Sequence, residues 1–71
     1  MKLPRDVSGV EAARALRRLG FVVQRQTGSH LILRHGSRTV VIPQHKPLKP
    51  GTLKGILAQA AVSLEDFASQ L

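Results

Sequence analysis

The sequence predicts one small α+β domain, in which a three-stranded antiparallel sheet is covered on one face by two helices. Three observations lead to this prediction: helical spacing of apolar residues near each end, period-two alternation between them, and glycine turns that divide the alternating region into three. With 71 residues, the chain has room for a single core. We therefore expect residues 1–71 to form one domain.

The first helix is predicted from a capping box, in which Ser8 precedes Glu11 by three residues. Apolar residues then recur at three-residue spacing up to Gly20, namely Val10, Ala13, Leu16 and Leu19. We expect these residues to face the core. The outer face would then carry Glu11, Arg14, Arg17 and Arg18.

Alternation predicts strands over residues 21–26, 30–35 and 38–42. Turns at Thr27-Gly28-Ser29 and His35-Gly36-Ser37 separate them, and Pro43 ends the third. A connector rich in proline and lysine follows, and helical spacing returns over residues 51–60. Ser63 is placed to cap a final short helix with Leu64, Phe67, Ala68 and Leu71 as its apolar face.

The element order is therefore α-β-β-β-α, a two-layer sandwich with an additional short C-terminal helix. Double-stranded-RNA-binding domains have this order of elements. Order alone supports a fold by analogy and does not establish a function.

The charge distribution favours a polyanionic partner. The net charge is +7, and all four acids lie near the chain ends: Asp6, Glu11, Glu65 and Asp66. Residues 12–64 carry nine lysines and arginines, three histidines and no carboxylate. The positive charge of this region would attract a polyanion, and we expect that polyanion to be RNA. The alternative is a solvated basic surface that serves solubility.

Several classes of protein are disfavoured by the composition. There is no cysteine for disulfides or thiolate ligands, and no apolar run approaches the length of a membrane span or a signal sequence. We therefore expect a cytoplasmic protein without a cofactor. With no tryptophan or tyrosine, and with Phe21 and Phe67 at core positions, base stacking is not expected either.

His30 is the residue best placed for chemistry. Alternation along the second strand puts His30, Ile32 and Arg34 on one face and Leu31, Leu33 and His35 on the other. If the two leucines are buried, His30 faces away from the helices. A histidine there could exchange protons with RNA, or it could simply cap the turn through a backbone hydrogen bond. Sequence reasoning leaves both roles open.

Metal and triad chemistry have weaker support. His30 and His35 are predicted on opposite faces of one strand, His45 lies in the connector, and no interior acid could complete a metal shell. Nor is an acid placed to orient a Ser-His pair. We therefore predict no metal site. His45 and Lys46 could contact phosphate or belong to a solvated loop, and His35 is expected to be a turn residue.

Three motifs now make a resemblance apparent: Gly28-Ser29-His30, then Pro43-Gln44-His45-Lys46, then the run of residues 48–53, Leu-Lys-Pro-Gly-Thr-Leu. With a first helix ending in Leu19-Gly20-Phe21, the chain resembles the HicA family of toxins over almost its whole length. The resemblance implies a small ribonuclease of double-stranded-RNA-binding fold that cleaves mRNA without a metal. It also implies neutralisation by a HicB-type antitoxin.

By position, the resemblance implies that His30 is the catalytic general acid/base and that Gly28 and Ser29 shape its turn. Many members carry a histidine or an aromatic residue directly after this motif, whereas this chain has Leu31. The second proton transfer would then fall to solvent, His45 or a lysine. We expect RNA-backbone contacts from Arg25, Arg34, Arg38, His45, Lys46 and Lys49. The alternative from another class is an RNA-binding module without catalysis, in which His30 only caps the turn.

Overall fold

The computed structural model describes residues 3–71. Its elements follow the predicted order: α1 (Gly9–Arg18), β1 (Val22–Thr27), β2 (His30–His35), β3 (Arg38–Pro43), α2 (Pro50–Ala60) and α3 (Leu64–Ala68). The strands form an antiparallel sheet of order β1-β2-β3. The predicted α+β architecture is confirmed. Within residues 3–71, no helix is long and apolar enough to cross a membrane.

Helix α1 begins with the predicted capping box. The backbone N–H of Glu11 donates to the Ser8 hydroxyl at 3.0 Å, and the Ser8 N–H donates to the Glu11 carboxylate at 3.1 Å. These two bonds satisfy N–H groups that have no partner within the helix. Helix α3 starts in a related way, since the Asp66 N–H donates to the Ser63 hydroxyl at 3.1 Å.

The core lies between the sheet and the helices. Leu33, Val40 and Ile42 supply its sheet side and are fully buried. The helices supply Leu16, Leu53, Ile56, Leu57 and Phe67 together with several alanines. Phe21 is also buried, as its periodic position predicted. Both helices therefore cover the same face of the sheet, and the opposite face of the sheet is left open.

The prediction for Val10 was wrong, because this side chain is 55% exposed. At 100° per residue, Val10 lies about 120° around the helix from Leu16, which is fully buried. Ala12 and Ala15 face the core instead. Their small side chains allow α1 to lie close to the sheet. Leu71, expected on the apolar face of α3, is likewise half-exposed at the chain end.

Strand β1 contains a bulge. Val23 pairs with Leu33 and Arg25 with Ile32, so Gln24 has no partner residue on β2. An extra residue of this kind bends the strand and increases its local twist. The predicted strand over residues 21–26 is also displaced by one residue, since Phe21 precedes β1 and Thr27 still pairs with His30.

Candidate active site

The turn before β2 positions His30. Gly28 has φ +56°, a left-handed conformation that favours glycine, and the Gln26 side-chain amide donates to the Gly28 carbonyl at 3.2 Å. Apart from its two chain neighbours, no residue has an atom within 4 Å of a Cβ built at Gly28. Glycine is therefore favoured there by backbone conformation and not by lack of space. His30 follows as the first residue of β2 and is exposed.

The sheet register assigns His30 to the open face. Leu33 lies opposite Val40, and both are fully buried, so these residues mark the core face. Ile32 lies opposite Val41, which is 41% exposed. Since His30 is two residues from Ile32, alternation places it on the open face. Leu31 packs against the core as predicted, although it is only half-buried.

The connector between β3 and α2 folds back beside His30. The Gln44 N–H donates to the Ser29 carbonyl at 2.7 Å, which joins the connector to the turn before His30. The Gly9 N–H donates to the His45 carbonyl at 2.9 Å, and the Leu48 N–H donates to the Val7 carbonyl at 2.7 Å. The connector is thus held by the chain segment that leads into α1.

A groove of about 470 Å³ results, which we call the histidine groove. It is lined by His30, Pro43, His45, Lys46, Pro47, Leu48, Lys49 and Thr52. Two imidazoles and two lysines therefore meet in one concavity, and no carboxylate is among the lining residues. Such a set combines groups that can move protons with cations that can neutralise phosphate charge.

One carboxylate nevertheless lies near the connector. The Ser8 backbone N–H, and then its hydroxyl, hold the pKa of Glu11 below its ordinary value, and the positive charges of Lys46 and Arg14 act in the same direction. Desolvation opposes them. Glu11 therefore stays ionised within the electrostatic influence of Lys46, which is part of the groove.

The predicted RNA-binding residues divide into two groups. His45, Lys46 and Lys49 line the histidine groove with His30. Arg34 and Arg38 lie toward the other end of the sheet, where the Arg34 Nε donates to the Gly36 carbonyl at 2.9 Å and Arg38 pairs with His35. His30 and Arg34 are separated by about 13 Å along the strand at 3.3 Å per residue.

Arg25 occupies an intermediate position. It pairs with Ile32, and because directly opposite residues share a face, Arg25 lies on the same open face as His30. The side chain is exposed. A phosphate chain leaving the groove across the open face would therefore meet Arg25 before Arg34.

Sequence reasoning assigned no role to Thr52. The structure places this residue in the first turn of α2 and in the wall of the histidine groove, where it adds a hydroxyl group. The position of Thr52 could have indicated this role, because Thr52 closely follows the connector that carries the RNA-contact candidates His45, Lys46 and Lys49. The sequence did not predict that the connector folds back beside His30, and this contact places Thr52 in the groove.

His35 has a different environment from the other two histidines. Its ring lies against that of Phe21, with centroids 5.2 Å apart and planes at 54°. A Cβ built at Gly20, which has φ +104°, would lie 3.2 Å from its Nε2. Among residues 3–71, no three potential metal-ligating side chains come together.

The comparisons with known proteins agree with this architecture. No curated protein matches the chain. A family model described as HicA toxin of bacterial toxin-antitoxin matches residues 9–62, which is well over half of the chain. This range includes α1, the whole sheet, the histidine groove and α2. The chain therefore belongs to the HicA family of bacterial toxin–antitoxin toxins.

Proposed function

We propose that this toxin is an endoribonuclease that cleaves mRNA without a metal ion, with His30 as general acid/base. The observation that carries the proposal is the histidine groove, where His30 lies beside His45 and two lysines. Membership of a toxin family agrees with it. The absence of a carboxylate from the groove lining favours proton-transfer chemistry over metal chemistry.

The reaction would begin at a ribose 2′-hydroxyl. His30 takes its proton, and the 2′-oxygen forms a bond to the adjacent phosphorus. The bond from phosphorus to the 5′-oxygen then breaks, and that oxygen leaves with a proton. The products are a 2′,3′-cyclic phosphate and a 5′-hydroxyl, so neither water nor a metal is consumed. General acid/base catalysis of this kind contributes typically about 10² to 10⁴ in rate.

His45 is the residue we propose for the second proton transfer. It lines the same groove as His30, and the hydrogen bond from Gly9 to its carbonyl holds its backbone in place. Lys46 and Lys49 would neutralise the charge that develops on the phosphorane, which is the role of preorganised cations around a reacting phosphate. Gly28 and Ser29 would set the approach of His30 to the RNA.

The remaining cations would hold the RNA outside the groove. Arg25 shares the open face with His30, and Arg34 continues that face toward the far end of the sheet. Arg38 pairs with His35 and therefore lies on the helix side, so it would reach RNA only at that end of the sheet. Contacts of this type position a phosphate backbone without selecting a base. In the cell, a HicB-type antitoxin would be the protein partner that neutralises the toxin.

His30→Ala is the deciding variant. We expect cleavage of a purified mRNA to be lost, while thermal unfolding and salt-sensitive RNA binding remain as in the parent. His35→Ala is the matched control, because it removes an imidazole outside the groove and should still cleave. Cleavage that persists in His30→Ala would contradict the catalytic role of His30. Cleavage by the parent that stops with EDTA would contradict the metal-independent mechanism. Binding without any cleavage by the parent would favour an RNA-binding module.

His45→Ala tests the second proton-transfer group separately. If His45 protonates the leaving 5′-oxygen, cleavage should fall by about 10² or more. An RNA substrate with a thiolate leaving group at the scissile 5′ position needs no protonation, so it should restore much of the lost rate. Equal losses on both substrates would instead assign His45 to RNA binding.

A further inference from the structure

A second basic concavity lies away from the histidine groove. It has a volume of about 540 Å³ and is formed between α1 and the start of β1, and we call it the arginine cleft. Its lining residues are Arg14, Arg17, Arg18, Phe21, Val22 and Val23. None of them lines the histidine groove.

Apolar surface is unusually exposed in this cleft. Val22 is 66% exposed and Val23 is 38% exposed, although β-branched aliphatic residues normally favour the interior. The two valines are adjacent, and they line one concavity together with arginines. Exposed apolar residues with a polar rim are typical of a protein–protein contact.

The rim of the cleft is strongly positive. Arg17 and Arg18 follow Arg14 by three and four residues, so all three lie on one side of α1, and all three are exposed. Arg18 is held in place by a 2.7 Å hydrogen bond to the Gln70 carbonyl. Glu11, the one acid of this helix, is bonded to Ser8 at its N-terminus. The cleft therefore favours an anionic ligand.

We propose that the arginine cleft docks an acidic segment of the antitoxin, whose apolar side chains pack against the β1 edge at Val22 and Val23. This inference rests on the proposed role of an antitoxin as the neutralising partner. RNA would satisfy the arginines but would gain little from two aliphatic side chains, because no aromatic ring is exposed there for a base to stack on. An acidic, partly apolar peptide matches both parts of the surface.

The position of the cleft makes its function separable from catalysis. Val22 and Thr27 are the two ends of β1, about 17 Å apart at 3.3 Å per residue, and Thr27 pairs with His30. A substitution at Val22 therefore changes the cleft without touching any residue that lines the histidine groove. The cleft would serve as an anchor for the antitoxin at the far end of the strand from the catalytic histidine.

The test uses Val22→Asp and Arg17→Glu in the full chain, with Lys54→Glu as the control for charge. Lys54 is exposed on α2 and lines neither the cleft nor the histidine groove. Affinity for the purified antitoxin is measured by titration calorimetry, and RNA cleavage is measured with the same preparations. We expect each cleft variant to bind at least about tenfold more weakly, as for loss of an interface hot spot. Lys54→Glu should bind like the parent.

Cleavage of RNA should be unchanged in the Arg17→Glu variant, because Arg17 lies on α1 and lines only the cleft, and co-expressed antitoxin should no longer protect cells from it. Parental affinity in both cleft variants would overturn the proposal. So would a loss of RNA binding equal to the loss of antitoxin binding, since the cleft would then be an RNA site. If the parent fails to cleave RNA but the cleft variants still lose the antitoxin, the docking site stands and the nuclease assignment falls.

Discussion

The backbone N–H of Gln44 donates a 2.7 Å hydrogen bond to the carbonyl oxygen of Ser29, the residue directly before His30. Two segments that are distant in sequence, the β1–β2 turn and the connector before α2, are joined by this bond. His30 and His45 consequently line the same groove. The placement of His45 therefore depends on backbone hydrogen bonds.

Gly9→Ala should destabilise the fold. A Cβ built at Gly9 would collide with the Pro43 carbonyl oxygen and lie 2.8 Å from the Cα of Gln44. Because both are backbone atoms, relief requires moving the connector, and we expect the free energy of unfolding to fall by about 1–3 kcal/mol. Urea denaturation measures this, and cleavage should fall as well.

Gly55→Ala is the matched control for that substitution. Gly55 lies inside α2, and outside its chain neighbours and the nearby helix backbone a Cβ there would have no atom within 4 Å. The same change should therefore raise the free energy of unfolding by about 0.5–1 kcal/mol through helix propensity. A Gly9→Ala variant as stable as the parent would contradict the close approach of α1 and the connector.

Stability should decrease as the carboxylate of Glu11 is protonated. In the folded chain the pKa of Glu11 is lowered, chiefly by the hydrogen bond from the Ser8 N–H. Folding therefore favours the ionised form of Glu11. This contribution is fully present above the unfolded pKa and is lost as pH falls through the lower, folded pKa. Denaturant midpoints measured from about pH 6 down to about pH 3 should therefore decline more steeply for the parent than for Glu11→Gln. Parallel profiles would refute the linkage.

His35→Ala should affect stability and not catalysis. The variant loses the contact with the Phe21 ring, and aromatic pairs of this geometry contribute about 0.5–1.5 kcal/mol. We expect the thermal midpoint to drop while the specific rate of RNA cleavage, measured well below that midpoint, stays at the parental value. A cleavage defect at that temperature would place His35 in the chemistry.

RNA binding should weaken steeply with salt. If four to six phosphates of single-stranded RNA are neutralised, the slope of log K against log salt is about −3 to −4. Fluorescence anisotropy with the His30→Ala variant avoids cleavage during the titration. Lys46→Ala should reduce the magnitude of the slope by about 0.7, whereas Lys54→Ala should leave it unchanged. Equal slopes for the parent and Lys46→Ala would remove Lys46 from the RNA contact.

Most secondary structure was predictable because its signals are local. The Ser8 and Ser63 caps, the Gly28 and Gly36 turns and Pro43 all mark element ends in the structure close to where the sequence placed them. Val10 was misassigned because a three-residue spacing drifts around a helix with 3.6 residues per turn. Ala12 and Ala15, which carry little apolar signal, occupy the core face instead.

The candidate site was only partly predictable, because it depends on long-range contacts. Alternation along β2 was enough to give His30 its face. The proximity of His45 depends on hydrogen bonds from Gly9 and Gln44 to residues far away in the chain, and no periodic pattern encodes those. The arginine cleft was not predictable for a similar reason, since it depends on how α1 lies beside β1, which the pattern of neither element encodes.

The bulge in β1 has a consequence for behaviour at high concentration. A sheet of order β1-β2-β3 has two free edges, and a regular edge strand can template pairing with another copy and lead to aggregation. On β1 the register is broken between Val23 and Arg25, and β3 ends at a proline that lacks an N–H donor. Removing the bulge by deletion of Gln24 would give β1 a continuous edge and should increase aggregation at high protein concentration.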